Sequence, residues 1–322
     1  MSKLVTVVGA TGIQGGSVIK ALLGDDTYNV RAITRDPTSE AASSLRDQGV
    51  EVTKADLDDL SSLKKAFSGS YAIFAATNFF QHFPTISAKE AVDIEAMQGL
   101  NMATAAMETP TLQHFVWSTL PNASRISNGN SYVPHYAGKN KVDDFIKSKP
   151  ELLRKTTFLW VAFYASNLQY PFFQPFPIPA TDSQKYIQLL PTPPSVPLTL
   201  VGDARINVGL FVRAILNQPD KSLPGKFVLG ATDTMTAGEL LSLWASIKSK
   251  KAECLTVDKE LYYRLWPKWA QVMHANFMYF DLVRERSYSG EESILTRQDL
   301  GIVDLIDTAT AIARMGDLVA DN

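Results

Sequence analysis

The chain has 322 residues, 45% of them apolar, and its 31 lysines and arginines nearly balance 33 aspartates and glutamates, for a formal charge of -2. That length allows one large domain or one domain with an elaborated second lobe. The balanced charge, with no basic run, finger spacing or aromatic-basic repeat, argues against direct nucleic-acid binding.

The single cysteine, Cys254, excludes an internal disulfide and a cysteine metal cluster, and such usage fits a reducing compartment. The chain enters its first apolar strand almost at once, without a signal-peptide pattern, and no apolar run reaches membrane-spanning length. The expectation is a cytoplasmic protein with no membrane partner, or a nuclear one if it is a regulator.

The first half alternates short apolar runs with helical stretches, as repeated βαβ units do. Strands are predicted at Leu4 to Val8, Tyr28 to Thr34, Glu51 to Ala55, Tyr71 to Ala76, His114 to Ser118 and Thr157 to Tyr164. Between them the spacing predicts helices at Gly15 to Leu23, Thr38 to Gln48, Ser61 to Phe67, Ser87 to Met107 and Lys139 to Ser148. Right-handed crossovers turn this order into a parallel sheet with helices on both faces. The fold class is therefore α/β, a doubly wound parallel sheet over residues 1–165, followed at 166–322 by a smaller, aromatic-rich substrate lobe discontinuous with the sheet.

Eight of the 17 prolines fall between Pro171 and Pro197, interleaved with Phe172, Phe173, Phe176 and Tyr186. That density excludes a long helix or a central strand there, and the aromatics favour an ordered loop over a disordered linker. A helix near Val208 to Leu216, a strand at Lys226 to Gly230 and a helix from Thr236 to Lys248 follow, then an aromatic tail with Trp266, Trp269, Phe277 and Phe280.

The sharpest motif is Gly9-Ala10-Thr11-Gly12-Ile13-Gln14-Gly15-Gly16, directly after the first strand. Gly9 permits the turn, Gly12 lets a pyrophosphate approach the backbone, and Gly15 lets the helix pack on the sheet. The helix then begins at the phosphate, where free N–H groups favour an anion. At the end of the second strand stand Thr34 and Arg35 rather than an acid, which suits the 2′-phosphate of NADP(H). Arg35 pairing with Asp36 on the surface is the other reading. Asp56, after the third strand, either neighbours the adenine or is a solvated member of the Asp56-Leu57-Asp58-Asp59 run.

With Ala76-Thr77-Asn78-Phe79, His135-Tyr136-Ala137-Gly138-Lys139 and Phe163-Tyr164-Ala165-Ser166-Asn167 added, the chain resembles the NmrA-like family of atypical short-chain dehydrogenases, closely over residues 4 to about 170. The resemblance implies a Rossmann fold binding NADP(H) through Gly9, Thr11, Gly12, Ile13, Gln14, Gly15, Arg35, Asp56, Leu57, Thr77, Asn78, Phe79, Lys139, Tyr164, Ala165, Ser166 and Asn167. It also implies one of two functions: reduction of a quinone, dye or aromatic small molecule, or NADP(H) sensing with a regulatory protein partner. Met97 stands where sensing relatives carry a lysine.

The candidate catalytic residues are Lys139, Ser118 and His135. Ordinary short-chain dehydrogenases use a tyrosine four residues before the lysine, and here that position is His135. His135 is either a proton donor or a helix N-terminal residue bonded to backbone; Lys139 either a cofactor contact or an exposed lysine; Ser118 either a substrate donor or a turn cap. Tyr136 is expected in the core or on the surface. Trp160, Phe163, Tyr170, Phe172, Trp266, Trp269 and Met273 are expected either to line a substrate pocket or to pack as core. His82, His114, His274 and Cys254 carry no expected role, and no metal is expected.

Overall fold

The computed structural model describes residues 2–179 and 185–316. Its centre is an eight-stranded sheet, parallel throughout. Six strands come from the first half: β1 (Lys3–Val7), β2 (Tyr28–Thr34), β3 (Glu51–Lys54), β4 (Ala72–Ala75), β5 (His114–Thr119) and β6 (Thr156–Val161). They lie in the order β3-β2-β1-β4-β5-β6, and Lys226–Gly230 and Ile294–Leu295 extend the sheet beyond β6. Strand order reverses between β1 and β4, and the carboxyl ends of those strands form the crevice where α/β sheets bind ligands.

The helices are α1 (Ile13–Leu22), α2 (Glu40–Asp47), α3 (Leu60–Phe67), α4 (Ala88–Met107), the short α5 (Ala123–Ile126) and α6 (Pro134–Lys147), then several more in the second half. Strands buried on both faces read as continuous apolar runs, as β4 (Ala-Ile-Phe-Ala) does. On one face α1 packs against the helix Ala204–Asn217, with Val18, Leu22, Val208 and Phe211 in the core between them. Contact there is close because a Cβ on Gly209 would lie 2.0 Å from the Ser17 carbonyl oxygen. On the other face Phe67, Met102, Trp117 and Val142 join α3, α4 and α6 to the sheet. A third core, around Phe79, Phe83, Phe172, Trp244, Tyr262 and Phe277, fills the aromatic lobe. Among the described residues no helix is long and apolar enough to cross a membrane.

Three expectations change. The second half is not discontinuous with the sheet, since Lys226–Gly230 pairs with β6 and Ile294–Leu295 pairs with Lys226–Gly230. The proline-rich stretch does hold a central strand: Lys185–Leu190, between its prolines, is the middle of a three-stranded sheet with Phe176–Pro177 and Lys251–Thr256. Proline forbids only the positions it occupies, and this segment contains none. Finally, α6 begins at Pro134, five residues earlier than expected, because proline suits a first helical turn whose N–H is unpaired anyway. His135 and Lys139 therefore sit one turn apart on one helix.

Candidate functional site

The carboxyl ends of the strands open into one cleft of about 780 Å³. Its floor is the glycine loop. Gly9 adopts φ +68°, a left-handed turn that favours glycine. A Cβ on Gly15 would lie 2.2 Å from the Gly9 carbonyl oxygen, and one on Gly12 would lie 3.3 Å from the same atom. No side chain caps α1 and no acid sits in its first turn. Its unpaired N–H groups and dipole end thus face the cleft, a cradle that suits a pyrophosphate.

At one end of the cleft stand Arg35, Asp36 and Asp56. Arg35 makes no ion pair with Asp36 among the described residues. Asp36 instead accepts from Thr38 N at 2.8 Å and Thr38 Oγ1 at 2.6 Å, which hold its carboxyl below the ordinary carboxylate range. With the Gln81 amide turned so that its oxygen faces the guanidinium, that oxygen accepts from Arg35 Nη1 at 2.7 Å and Nη2 at 3.2 Å. Exposed Arg35 keeps donors free for an anion. Asp56 Oδ1 accepts from Asp58 N at 3.0 Å, a local turn that fixes the loop after β3.

Mid-cleft, Lys139 projects from α6 and is 8% exposed, so it is not a surface lysine. Its Nζ donates to Thr77 Oγ1 at 2.7 Å and Thr77 O at 3.2 Å and lies 3.3 Å from Glu95 Oε1. Thr77 Oγ1 in turn donates to Glu95 Oε1 at 2.8 Å. Glu95, 2% exposed in the middle of α4, was not among the sequence-predicted site residues. A carboxylate within the apolar spacing of a long helix gives no periodic signal of its own. Gly138 is the nearest clue, since a Cβ there would meet Glu95 Oε2 at 2.7 Å. The same helix holds the neighbouring loop: Gln98 Nε2 donates to Asp58 Oδ1 at 2.9 Å and Asn101 Nδ2 to Leu57 O at 2.9 Å. Met97 is exposed and is not among the residues lining the cleft.

One turn beyond Lys139, buried Asp143 accepts from Trp117 Nε1 at 2.8 Å and Thr119 Oγ1 at 2.9 Å. Burial pushes its carboxyl up to about 7 against those hydrogen bonds. Lys139 Nζ lies 5.4 Å from the Trp117 ring centroid, within cation–π range.

Ser118 lines the cleft, and its hydroxyl is engaged by a neighbouring side chain rather than by a turn. Its Oγ donates to Gln14 Oε1 at 2.7 Å, and Gln14 Nε2 donates to Tyr164 Oη at 2.7 Å. Burial pushes the Tyr164 phenol up to about 12, with the Gln14 bond acting against it. His135 is not tied to backbone either: among the described residues its buried Nδ1 has no hydrogen-bond partner, and its ring sits 5.3 Å from Phe80 and 6.1 Å from Phe79. Burial, aided by the Lys139 charge, lowers its pKa to about 3. The imidazole is therefore neutral near pH 7 and is not the neutral-range acid that its ordinary pKa promised. Tyr136 is core, edge-on to Tyr279 at 5.9 Å, and also reaches the cleft wall.

Of the remaining expected contacts, Gly9, Thr11, Gly12, Ile13, Gln14, Gly15, Leu57, Thr77, Asn78, Phe79, Tyr164 and Asn167 line the cleft, whereas Ala165 and Ser166 do not. Ala165 is core, at the start of a 3₁₀ turn that sends successive side chains in different directions. Beyond Lys139 the walls become aromatic. Phe163, Tyr170, Phe172, Trp269 and Met273 line them as expected, joined by Phe80, Phe277 and Phe280. Trp160 instead packs under Phe227 at 4.8 Å and Trp266 against Tyr262 at 4.9 Å, away from the cleft. His114 is a core residue whose Nε2 bonds Thr157 Oγ1 at 2.8 Å. Among the described residues no group of ligating side chains is placed to hold a metal.

A doubly wound parallel sheet with a glycine-rich cradle at its switch point defines a protein of the dinucleotide-binding fold. A model of the NmrA-like family matches residues 1–312, and the chain belongs to that family. It is 29% identical over 282 residues to an NmrA-like family domain-containing protein of Dictyostelium discoideum, covering 86% of this chain and 88% of that one. It is 30% identical over 261 residues to an NmrA-like family domain-containing oxidoreductase of Malbranchea aurantiaca, covering 78% and 74%. Its fold matches the crystal structure of NmrA, a negative transcriptional regulator, in complex with NADP, with a TM-score of 0.72 at 21% identity over 97% of this chain and 95% of that one.

Proposed function

We propose that this chain is an NADPH-dependent oxidoreductase that reduces an uncharged aromatic or quinone-like small molecule. The observation that carries the reading is continuity. A single cleft runs from the glycine loop past Lys139 and His135 to the rings of Phe80, Phe172 and Trp269. The name of the Malbranchea relative and the NADP held by the NmrA structure support it.

On this reading the α1 N-terminus and the glycine loop bind the pyrophosphate, Arg35 takes the 2′-phosphate, and Asp56 lies toward the adenosine. Thr77, Lys139, Tyr164 and Asn167 hold the ribose and nicotinamide end. The bound cofactor supplies a hydride. The chain's own work is to orient the two reactants, the part of such reactions that proteins contribute. Lys139, ion-paired to Glu95 at the cleft wall, offsets negative charge developing on the acceptor. With no tyrosine at position 135 and a neutral histidine there, a conjugated acceptor that draws its proton from water suits the site better than a simple ketone.

The test is NADPH oxidation with a panel of quinones and aromatic ketones, beside calorimetry of NADPH binding. Turnover of quinones above ketones is the expected result. Tight NADPH binding with no acceptor reduced overturns the reading. It favours instead an NADP(H)-sensing regulator with a protein partner, a reading to which His135 in place of tyrosine also points.

A further inference from the structure

Five buried side-chain polar atoms have no hydrogen-bond partner among the described residues, and three of them, Glu95 Oε2, His135 Nδ1 and Asn276 Oδ1, belong to residues lining the cleft. Leaving such an atom unpaired costs about 1–3 kcal/mol, so a concentration of them at one site marks partners that come from outside the chain. Glu95 is accounted for in part, because its other oxygen meets Lys139 and Thr77. Asn276 has no such account.

Asn276 sits in the middle of the helix Ala270–Val283 and is 3% exposed. Its neighbours on the cleft side are Met273, Phe277 and Phe280. Asparagine is a poor helix former, and at this position an apolar side chain would bury more surface at no hydrogen-bonding penalty. The wall it joins is aromatic: Trp269 stacks on Phe172 at 5.2 Å and lies 5.8 Å from Phe80. The side-chain charges lining the cleft are Arg35, Asp36 and Asp56, at the ends of β2 and β3, and the mutually paired Lys139 and Glu95. Among the described residues no charged side chain lines the aromatic end.

We propose that Asn276 is a specificity-determining residue whose carboxamide oxygen accepts a hydrogen bond from a ring hydroxyl, so that the aromatic end of the cleft selects neutral hydroxyarenes, the class that includes phenols and the hydroquinone products of quinone reduction. The proposal rests on that end of the cleft being the ligand site of the proposed oxidoreductase, but not on turnover. A flat ring gains its affinity from the aromatic wall, and the hydroxyl adds the one directional contact that the wall lacks.

The full chain, saturated with NADPH, is titrated with 2-naphthol and with 2-methoxynaphthalene, which differ by the loss of the donor. The native protein should bind 2-naphthol about 10-fold more tightly, the worth of one hydrogen bond of about 1.4 kcal/mol. In Asn276→Leu and, as a smaller replacement, Asn276→Ala, the preference should fall to within about twofold while 2-methoxynaphthalene still binds, with thermal unfolding as the control for folding. Equal native affinities, failure of both compounds to bind, or a preference that survives both substitutions overturns the proposal. Selective 2-naphthol binding without NADPH oxidation by any quinone would sink the oxidoreductase reading and leave this one standing.

Discussion

Lys139 Nζ lies 3.3 Å from Glu95 Oε1, and among the described residues neither side chain has another ion-pair partner. The pair joins α6 to α4 across the cleft wall, with Thr77 Oγ1 bonded to both ends. Two glycines permit the approach: a Cβ on Gly138 would strike Glu95 Oε2 at 2.7 Å, and one on Gly99 would strike Val142 at 2.5 Å. A lysine read as catalytic is thus also structural.

Removing one member of a buried pair strands the other charge. Lys139→Met should destabilise the fold by about 3–5 kcal/mol, and Glu95→Leu by a similar amount. The double substitution should recover most of that loss, because two apolar side chains leave no charge behind. Urea unfolding of the four proteins checks it; additive losses in the double variant would show that the charges do not couple. Any loss of turnover in Lys139→Met has to be measured on folded protein.

Arg35 should carry the preference for NADP(H) over NAD(H). Its guanidinium stands at the cleft edge without an ion pair to Asp36. Arg35→Ala should weaken NADPH binding by about 1.5–3 kcal/mol, the range for a hydrogen bond to a charged group, and leave NADH nearly unchanged. Calorimetry with both nucleotides decides it, and equal losses would remove Arg35 from the 2′-phosphate.

The glycines of the cradle should differ in kind. A methyl group on Gly15 has only 2.2 Å to the Gly9 oxygen, so Gly15→Ala should displace the loop and lower both stability and NADPH affinity. At Gly12 the gap is 3.3 Å, and Gly12→Val should abolish NADPH binding with the fold retained, since its branches fill the space of the pyrophosphate. A folded Gly12→Val protein with normal NADPH affinity would show that the anion binds elsewhere.

Acid should destabilise the protein partly through His135. Unfolded, its ring takes a proton near 6.5; folded, it resists until about 3. Between those values the unfolded chain binds the extra proton, so stability present above 6.5 is lost as pH falls toward 3. Asp143 works in the opposite direction. Its folded carboxyl holds a proton up to about 7 against 3.8 unfolded, so its contribution is present below 3.8 and lost as pH rises through about 7. His135→Leu should therefore flatten the decline in urea stability below pH 6.5, and Asp143→Asn should flatten the decline toward pH 7. Unchanged slopes in both would mean that neither group is buried as described.

Much of this protein is local in sequence and was legible there. The succession of β1 to β6 and the glycine loop follow from short apolar runs alternating with helical stretches and from glycine's freedom at positive φ, and Arg35 was noticed as a cation where an acid would stand; all of these act over a few residues. What only the tertiary structure decided depends on side chains far apart in the chain. Glu95 becomes a site residue because α6 brings Lys139 against it 44 positions later. Ser118, at the cleft, gives its hydroxyl hydrogen to Gln14, 104 positions away. His135 keeps its sequence position but loses its ordinary protonation, because Phe79, Phe80 and the Lys139 charge surround it. Asn276 was one more residue in an aromatic tail until packing placed it at the cleft with its buried Oδ1 lacking a hydrogen-bond partner among the described residues. Burial, ion pairing and unmet hydrogen bonds are properties of an assembled interior, and no window along the chain contains them.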